Sequence, residues 1–472
     1  MKKLSLLLAL VMVMATLVPA FAVAEAGGMP ALNTTDEIKL TYAVWDDYEM
    51  TQFLADKFHE KHPNITIEVL QLGGTDVYMA NLANLAANNE FPDMFQHLNL
   101  DTCILNGWFG DITPYWESDP ETAEYYDSLK KVGYLDGKRT FFMAAEYLPI
   151  TIYLDQTVFE KLNIPMPDAD WTYEEMLKLM EECTSPENGI WGYNSFLGLI
   201  TIGPIALTDG ALAEFGWDGD SYHFESGWAD AIATEAEYQR LGYRAIQASE
   251  AWAAVAGSNE VWPGASGHVA IQHDAWWTMN NIYTQSDTLE RGIKMVPYAP
   301  PASETVENSN AVSFIDFGAI SSTTKYPREA YEALKFMTWG KDGWLARCEG
   351  FESLVNAAGE KIYRMPNCLP LSNNEEVWAA YRKLFDDSAY WDGFFANARR
   401  PVSLGGVAIP GFNTFLNEVY FNGEYNGVVG MEAAVFQGVA DPYDYTDALN
   451  EAGRRYYDQV MEEFTAVYGE AK

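Results

Sequence analysis

Apolar and polar residues alternate along the segment that follows residue 37. Side chains of a strand point alternately to its two faces, so this period predicts a strand over 38–45. Apolar residues at helical spacing then predict a helix, with Asp46 and Asp47 as its N-terminal caps. Further strands over 65–72 and 94–97, separated by a second helical pattern, complete a βαβαβ order. This order predicts a parallel, doubly wound sheet in an α/β fold.

Two later segments are typical of connections between domains. A long, weakly interrupted extended run covers 141–154 and holds Glu146 and Tyr147 near its middle. A proline-rich break at 297–301 precedes a further extended run over 312–320. We expect the first run and the proline-rich break to cross between two domains and form a hinge, with Glu146 and Tyr147 at the floor of the cleft. The remainder of the chain predicts helices separated by glycine and proline loops.

The stretch GHVAIQHDAWW, residues 267–277, combines a short apolar strand with a carboxylate and two indoles. We predict a strand over 269–272, followed by Asp274, Trp276 and Trp277. In open α/β folds, ligands bind beyond the carboxyl ends of strands. A carboxylate accepts hydrogen bonds from hydroxyl groups, and an indole can cover an apolar C–H face. This combination therefore suits a sugar. Two neighbouring indoles are also typical core residues, and strand alternation would send them to opposite faces.

Loops at the ends of the N-terminal strands hold further candidate ligand contacts. The carboxyl ends of parallel strands meet at one edge of a sheet, so these loop residues are expected to line one crevice. The indole at residue 191, on a short predicted strand, is a further candidate. The predicted ligand-binding set is Trp45, Asp46, Gly74, Gln96, Glu146, Tyr147, Trp191, Asp274, Trp276 and Trp277. Trp45 could equally close the core, and Asp46 could serve only as a helix cap.

Length and charge narrow the class of protein. A chain of 472 residues is too long for one hydrophobic core, so two or three core units are expected. The net charge of −39, from 68 acids and 29 bases, argues against nucleic-acid binding, which needs a basic surface. Aromatic residues make up 14% of the chain, which fits stacking on flat ligands and also fits large cores.

The N-terminus is typical of an export signal. Lys2 and Lys3 precede an apolar run and small residues near a cleavage position, so residues 1–24 are predicted to be a signal peptide. An uncleaved anchor is the alternative, because the apolar character continues to residue 24. No cysteine lies near the cleavage position, so a lipid attachment site is not expected. The four cysteines contain no CxxC pair, and their disulfide state stays open.

Cofactor and metal chemistry have little support in the sequence. His59 and His62 have a spacing seen in metal sites, but their position at a helix end before a proline explains them as surface residues. The sequence contains no HExxH, GxSxG or Walker-type phosphate loop. We therefore expect no cofactor, no metal site and no catalytic residue.

Several segments resemble the extracellular solute-binding proteins of ABC transporters, family 1, and in particular the sugar-binding proteins of the maltodextrin-binding type. Each motif is short, and the resemblance depends on their order and spacing from about residue 38 to 340. At Ala275 the family often has glycine. The segments that carry the likeness are ADKFHEKHPNITIEV (55–69), PDMFQ (92–96), YLDQTVFEKLNIPMP (153–167), DWTYEEMLKLMEECT (170–184), GHVAIQHDAWW (267–277) and FGAISSTTKYPREAYEALKFMTWG (317–340).

The resemblance implies a two-lobe periplasmic-binding-protein-like fold of type II, with discontinuous lobes, a hinge and a helical C-terminal region. Residues 36–147 and 301–342 are expected to form the first lobe, and 148–300 and 343–472 the second. It also implies capture of a sugar or oligosaccharide for a membrane permease, with no enzymatic activity. An exported monomer, periplasmic or extracellular and held at the cell surface through the permease, is expected.

Two other functions are compatible with the sequence. Aromatic residues and carboxylates also occur in glycoside hydrolases, which need two carboxyl groups about 5 to 10 Å apart across the scissile bond. No stretch of the sequence singles out such a pair. A receptor whose closed form signals to a membrane kinase would have the same features, so sequence does not separate sensing from transport. The identity, length and charge of the sugar also stay open.

Overall fold

The computed structural model describes residues 28–247, 249–279, 292–307 and 309–471. The predicted signal peptide at 1–24 lies outside these residues. The described part is a mixed α/β protein whose strands and helices follow one another along the chain. The strands are β1 Ile38–Val44, β2 Ile65–Gln71, β3 Met94–His97, β4 Phe142–Asp155, β5 Trp191–Ser195, β6 Val269–Ala275, β7 Met295–Tyr298, β8 Ala311–Ile320, β9 Pro401–Ser403, β10 Glu424–Tyr425 and β11 Val428–Val429.

The α-helices surround these strands, and several of them are short. They are α1 Tyr48–Lys61, α2 Tyr78–Ala87, α3 Leu100–Leu105, α4 Thr113–Ser118, α5 Asp127–Gly133, α6 Gln156–Leu162, α7 Tyr173–Glu182, α8 Leu199–Ala206, α9 Ala229–Leu241, α10 Glu250–Ala256, α11 Pro327–Thr338, α12 Lys341–Ser353, α13 Glu375–Arg382, α14 Ala389–Ala398, α15 Phe412–Phe415, α16 Met431–Phe436 and α17 Thr446–Tyr468.

The N-terminal βαβαβ unit predicted from the sequence is present. β1 pairs in parallel with both β2 and β3, and its apolar residues are buried on the predicted period. The main sheet has the order β2-β1-β3-β8-β4-β6-β5, with β7 on β4 and β9 on β8. The strand of the GHVAIQHDAWW stretch continues to Ala275, three residues beyond its predicted end.

Two long antiparallel strands, β4 and β8, connect the two ends of this sheet. Residues Phe142–Pro149 of β4 pair with β8, whereas Ile150–Asp155 pair with β6 and β7. At its other edge β8 pairs with β3 through Phe317–Ile320. The return of the chain at 297–301 stays a prediction, and β8, which follows it, pairs with both β3 and β4. A bulge between Ala144 and Glu146 interrupts the β4–β8 pairing.

Buried apolar residues form separate core clusters. One surrounds β1 to β3, a second surrounds the distal half of β4 with β5 and β6, and a third joins residues 212–232 to 409–452. The helices between 341 and 398 contribute Trp344 and Trp378 to the first cluster, and α12 packs against α1. The lobe boundaries at 147, 300 and 342 stay predictions, but this packing joins part of the C-terminal region to the N-terminal strands.

Helix starts show where short-range sequence signals hold. Thr172 and Glu175 form the predicted capping box at the start of α7. The prediction that Asp46 and Asp47 cap α1 is wrong, because no side chain caps this helix. Asp47 adopts a left-handed backbone with φ 47°, and its carboxylate accepts a hydrogen bond from Tyr363 instead.

Trp276 occupies the first core cluster. Its side chain is 0% exposed, and its indole N–H donates to the carbonyl of Pro366 over 2.8 Å. Its ring centroid lies 5.2 Å from that of Phe394 and 6.3 Å from that of Phe385. The neighbouring Trp277 is 40% exposed. The two indoles therefore have different roles, because only one of them is available to solvent.

We expect Trp276→Ala to lower the free energy of unfolding by about 3–5 kcal/mol, since it leaves a large cavity in a packed core. Trp277→Ala should lower it by about 1 kcal/mol or less, as is usual for exposed positions. Urea unfolding of the two variants measures this difference. Equal destabilisation by both substitutions would contradict the core position of Trp276.

Candidate functional site

A cavity of about 520 Å³ lies beyond the carboxyl ends of β5 and β6. These strands are parallel, with Trp191 opposite Val269 and Ser195 opposite His273, so their last residues meet at one edge. Ligands bind at this edge in open α/β sheets. The polar and charged side chains of its lining include Asn194, Gln239, Arg244, Gln247, Gln272 and Asp274.

Asp274 is the predicted site residue that lines this cavity. Its Oδ1 accepts hydrogen bonds from the backbone N–H of Ala275 at 2.8 Å and from the hydroxyl of Thr278 at 2.6 Å. Burial raises the pKa of the Asp274 carboxyl above its ordinary value, while these hydrogen bonds oppose the rise. The side chain is therefore fixed in one orientation at the cavity wall.

Gln272 lies two residues earlier on the same face of β6 and also lines the cavity. Its amide N–H donates to the carbonyl of His273 at 3.2 Å and, weakly, to Asp274 Oδ2 at 3.4 Å. Its amide oxygen is buried and has no hydrogen-bond partner among the described residues. A buried acceptor without a partner costs free energy, so a donor from a bound molecule would stabilise this group.

Apolar side chains surround the polar ones at the cavity. Phe196, Ile246, Trp262 and Phe436 contribute to its lining. Phe196 is 63% exposed, and its ring centroid lies 6.4 Å from that of Trp277. The rings of Phe196 and Trp277 are open to solvent. They can therefore cover the apolar face of a ligand.

A second group of residues lies near the carboxyl end of β1. We call it the acid group, and its carboxyls are those of Asp46, Asp47, Glu146 and Asp316. Glu146 on β4 is directly opposite Asp316 on β8, and both carboxyls interact electrostatically with each other. Asp46 and Asp47 interact with Glu146 in the same way, and Arg347 is the cation of the group. The structure therefore brings Asp46 and Glu146 together, as the cleft prediction requires.

Burial dominates the electrostatics of this group. Burial, together with the smaller effect of neighbouring carboxylates, raises the pKa of Asp46 and of Asp316 to about 8. Burial also raises the pKa of Glu146 well above its usual range. Arg347 lies 3.5 Å from Asp47 and opposes the rise at Asp46 and Glu146. Charge repulsion in a low-dielectric site thus keeps part of the group protonated near neutral pH.

Trp45 and Gln96 hold the end of β1 beside this group. The backbone N–H of Trp45 donates to the Gln96 side-chain oxygen at 3.1 Å. The Trp45 indole lies close enough to Asp316 to lower the pKa of that carboxyl, against the larger effect of burial. Trp45 is half-buried, whereas Gln96 is buried. Gln96 therefore positions the backbone at the strand end.

β4 links the two groups. Glu146 belongs to the first group, and Thr151, five residues later, is opposite Asp274. At about 3.3 Å per residue, these positions are about 16 Å apart along the strand. The acidic residues and the β6 end of the cavity therefore lie beside different parts of β4.

The other predicted residues have different surroundings. Tyr147 is fully buried, and its hydroxyl donates to the carbonyl of Ala398. Trp191 lies at the amino end of β5, where its ring packs against Trp252 at 5.4 Å. Gly74 lies in an exposed turn at the start of α2, and Trp276 is in the core described above. None of these four residues contributes to the lining of the cavity.

Several cavity residues did not stand out in the sequence. Asn194 and Phe196 could have been found by applying the rule for strand ends to β5 as well as to β6. Trp262 lies in a loop, and Arg244 follows the glycine that ends α9, so neither has a periodic signal. Asp316 is an acidic residue within an apolar extended run, which is a signal that could have been used.

The described residues offer neither a metal cluster nor a membrane-spanning helix. Among them, no group of three or more His, Cys, Asp or Glu side chains is placed to hold a metal ion. The Nδ1–H of His59 donates a hydrogen bond to the carbonyl of Ile65, and His62 packs on Phe58. The four cysteines are buried and free. No helix within these described ranges has the length and apolar character needed to span a bilayer.

The fold is shared with solved structures of binding proteins. An ABC substrate-binding protein of Listeria monocytogenes, in complex with cycloalternan, is 16% identical, with 90% of this chain and 99% of that chain covered and a TM-score of 0.59. A sugar transporter protein of Rhizobium etli, in an open conformation, is 15% identical, with coverage of 88% and 99% and a TM-score of 0.64. The sugar-binding protein MalE of Xanthomonas citri is 13% identical, with coverage of 92% and 100% and a TM-score of 0.63.

At these identities the similarity shows the fold, and it confirms the predicted periplasmic-binding-protein-like class. A comparison with curated proteins found no match. The family model described as bacterial extracellular solute-binding protein matches residues 54–352, which is more than half of the chain. This match confirms the resemblance found in the sequence. The chain belongs to the family of bacterial extracellular solute-binding proteins.

Proposed function

We propose that this protein captures a sugar or oligosaccharide in the cleft beside β4 and β8 and delivers it to the membrane permease of an ABC importer. Membership of the solute-binding family supports capture of a solute. Proteins with the same fold have been solved with cycloalternan and with maltotetraose. The observation that carries the proposal is the cavity at the ends of β5 and β6.

The chemistry of this cavity suits a hydroxyl-rich ligand. Asp274 and the unpartnered oxygen of Gln272 accept hydrogen bonds, whereas Asn194, Gln239 and Gln247 carry amides that both donate and accept. Hydroxyl groups have the same double capacity. Exposed rings beside these amides can cover the C–H face of a sugar ring.

The proposed ligand contacts divide between two walls. On the cavity side they are Phe196, Trp262, Gln272, Asp274 and, at its edge, Trp277. On the acid-group side they are Trp45, Asp46 and Glu146. We propose supporting roles for the remaining predicted residues, because they are buried, lie in a turn or face another core. These supporting residues are Gly74, Gln96, Tyr147, Trp191 and Trp276.

Binding is proposed to bring the two walls together. The strands β4 and β8 connect them, and hinge closure around a ligand is the general behaviour of periplasmic binding proteins. A ligand favours the closed form only through contacts that it makes better there than in the open form. A sugar held by Asp274 on one side and by Asp46 or Trp45 on the other would supply such contacts.

We propose an exported monomer that reaches the permease with its ligand intact and performs no chemistry on it. The export signal and the family support exposure outside the cytoplasmic membrane. A glycoside hydrolase is the alternative, and the following experiment separates the two.

We expect Trp262→Ala to weaken sugar binding by about 1–3 kcal/mol, a range taken from the stacking of bases on aromatic side chains. The measurement is calorimetric titration of the wild-type protein and the variant with maltotetraose and cycloalternan. Trp191→Phe is the control, because the Trp191 indole lies outside the cavity. This variant should bind both sugars with the affinity of the wild type.

Sugar recovered after the titration is analysed for hydrolysis products. Intact sugar and an affinity loss confined to Trp262→Ala are the expected results. Products released at enzymatic rates would contradict the receptor function. Equal affinity of the wild type and Trp262→Ala for the sugar would contradict binding of the sugar in the cavity.

The raised pKa values of Asp46 and Asp316 predict that the free energy of unfolding falls as pH rises. Asp46 and Asp316 have folded pKa values of about 8, above those of the unfolded chain, so between pH 5 and 8 the folded protein holds protons that the unfolded chain has released. Each such proton lowers the free energy of unfolding by about 1.4 kcal/mol per pH unit. Asp316→Asn should therefore flatten the decline measured by urea unfolding at pH 5, 6, 7 and 8.

Glu260→Gln, at an exposed position, serves as the control and should leave the pH dependence unchanged. The same decline of the free energy of unfolding in the wild type and in Asp316→Asn would contradict the burial of a protonated Asp316 between the crossing strands.

A further inference from the structure

Arg244 is the cation of the cavity wall, and the backbone on both sides of it is fixed. The N–H of Tyr193 on β5 donates to the carbonyl of Tyr243 at 3.2 Å, and the N–H of Ala245 donates to the carbonyl of Tyr193 at 2.8 Å. The Asn194 side chain donates to the carbonyl of Ala245 at 2.7 Å. Residues 243–245 therefore extend the sheet beside β5 and place the Arg244 side chain at the cavity.

Glu235 on α9 holds the guanidinium from behind. Its side chain is 1% exposed and lies 2.6 Å from Arg244 Nη1, whereas the Arg244 side chain is 22% exposed. The same carboxylate accepts from the Tyr193 hydroxyl at 3.1 Å and from the backbone N–H of Leu199 at 2.6 Å. Glu235 is thus fully bonded and does not line the cavity, while Arg244 does.

This arrangement leaves donors free on the cavity side. A guanidinium has five N–H donors. One donates to Glu235 and another donates to the carbonyl of Ser195 at 3.2 Å. Among the described residues, the other three have no hydrogen-bond partner. A buried ion pair is a weak source of stability, because desolvation offsets the attraction of the charges. The pair therefore points to a role beyond folding.

We propose that Arg244 is a ligand contact that determines specificity, and that Glu235 is its positioning residue. This inference rests on the proposed function of sugar binding and adds a group that donates to it. Arg244 donates hydrogen bonds to acceptor oxygens of the sugar, whereas Asp274 accepts hydrogen bonds from its hydroxyl groups. The two charged side chains thus give the cavity a donating and an accepting wall, which fix the orientation of the bound sugar.

The surrounding charges indicate which oxygens Arg244 contacts. The positive charge of Arg244 is already balanced by Glu235, and Glu432 on α16 also interacts with this pair. Burial raises the pKa of the Glu432 carboxyl, and the Glu235 carboxylate raises it further. A carboxylate on the ligand would add repulsion here without a cation left to balance it. We therefore assign hydroxyl and ring oxygens, rather than acid groups, as the partners of Arg244.

The test compares Arg244→Met and Arg244→Lys with the wild-type protein in calorimetric titrations with maltotetraose and cycloalternan. Loss of a hydrogen bond from a charged donor corresponds to a loss of affinity of about 10- to 100-fold. We expect a loss of this size in Arg244→Met, a smaller loss in Arg244→Lys and a changed ratio between the two sugars. Arg399→Met is the control, because this arginine stacks on Trp378 outside the cavity.

Arg244→Met leaves Glu235 buried without its cation, which destabilises the protein. The double variant Glu235→Gln, Arg244→Met removes both charges and keeps the binding test possible if the single variant does not fold. Glu235→Gln alone should weaken binding less than Arg244→Met. It should add no further loss in the double variant, because its effect on the ligand passes through Arg244.

The outcomes separate this inference from the proposed function. If the wild type binds either sugar and the folded Arg244 variants bind with unchanged affinity and ratio, the inference is overturned and sugar binding stands. Additive losses from the two substitutions would also overturn the positioning role of Glu235. Absence of binding by the folded wild-type protein to both sugars would contradict sugar binding and this inference together.

Discussion

The antiparallel pairing of β4 with β8 is the interaction on which the arrangement of the site depends. The first half of β4 pairs with β8 beside the N-terminal strands, and its second half pairs with β6, which carries Asp274. One strand therefore carries Glu146 of the acid group in its first half and pairs with the strand of Asp274 in its second half. A bulge bends its strand locally, and the one between Ala144 and Glu146 lies within the part of β4 that pairs with β8.

Buried charge distinguishes both walls from an ordinary core. Asp46 and Glu146 share one nearby arginine, Arg347, and Glu235 holds a second arginine, Arg244, at the cavity wall. Desolvation makes such groups expensive, so apolar residues at the same places would give equal or greater stability. We propose ligand binding as the reason for their presence, because fixed donors and acceptors need no rearrangement when a polar molecule enters. The same burial makes stability sensitive to pH.

Local signals predicted the N-terminal strands, the capping box of α7 and the approximate position of β6, since these depend on residues close in sequence. The two indoles after β6 show where such reasoning ends. Both lie beyond the strand, where alternation no longer applies, and long-range packing buries Trp276 while it leaves Trp277 exposed. Arg244 reaches the cavity through pairing with β5, and no local pattern reveals that contact.

A crystal structure of the protein with bound maltotetraose or cycloalternan tests the central claim most directly. The account predicts a sugar ring between Asp274 and Trp262, with a donor of the sugar on the Gln272 amide oxygen and the acid group near its other side. A sugar bound with full occupancy at a surface that touches neither the end of β5 nor the end of β6 would contradict it.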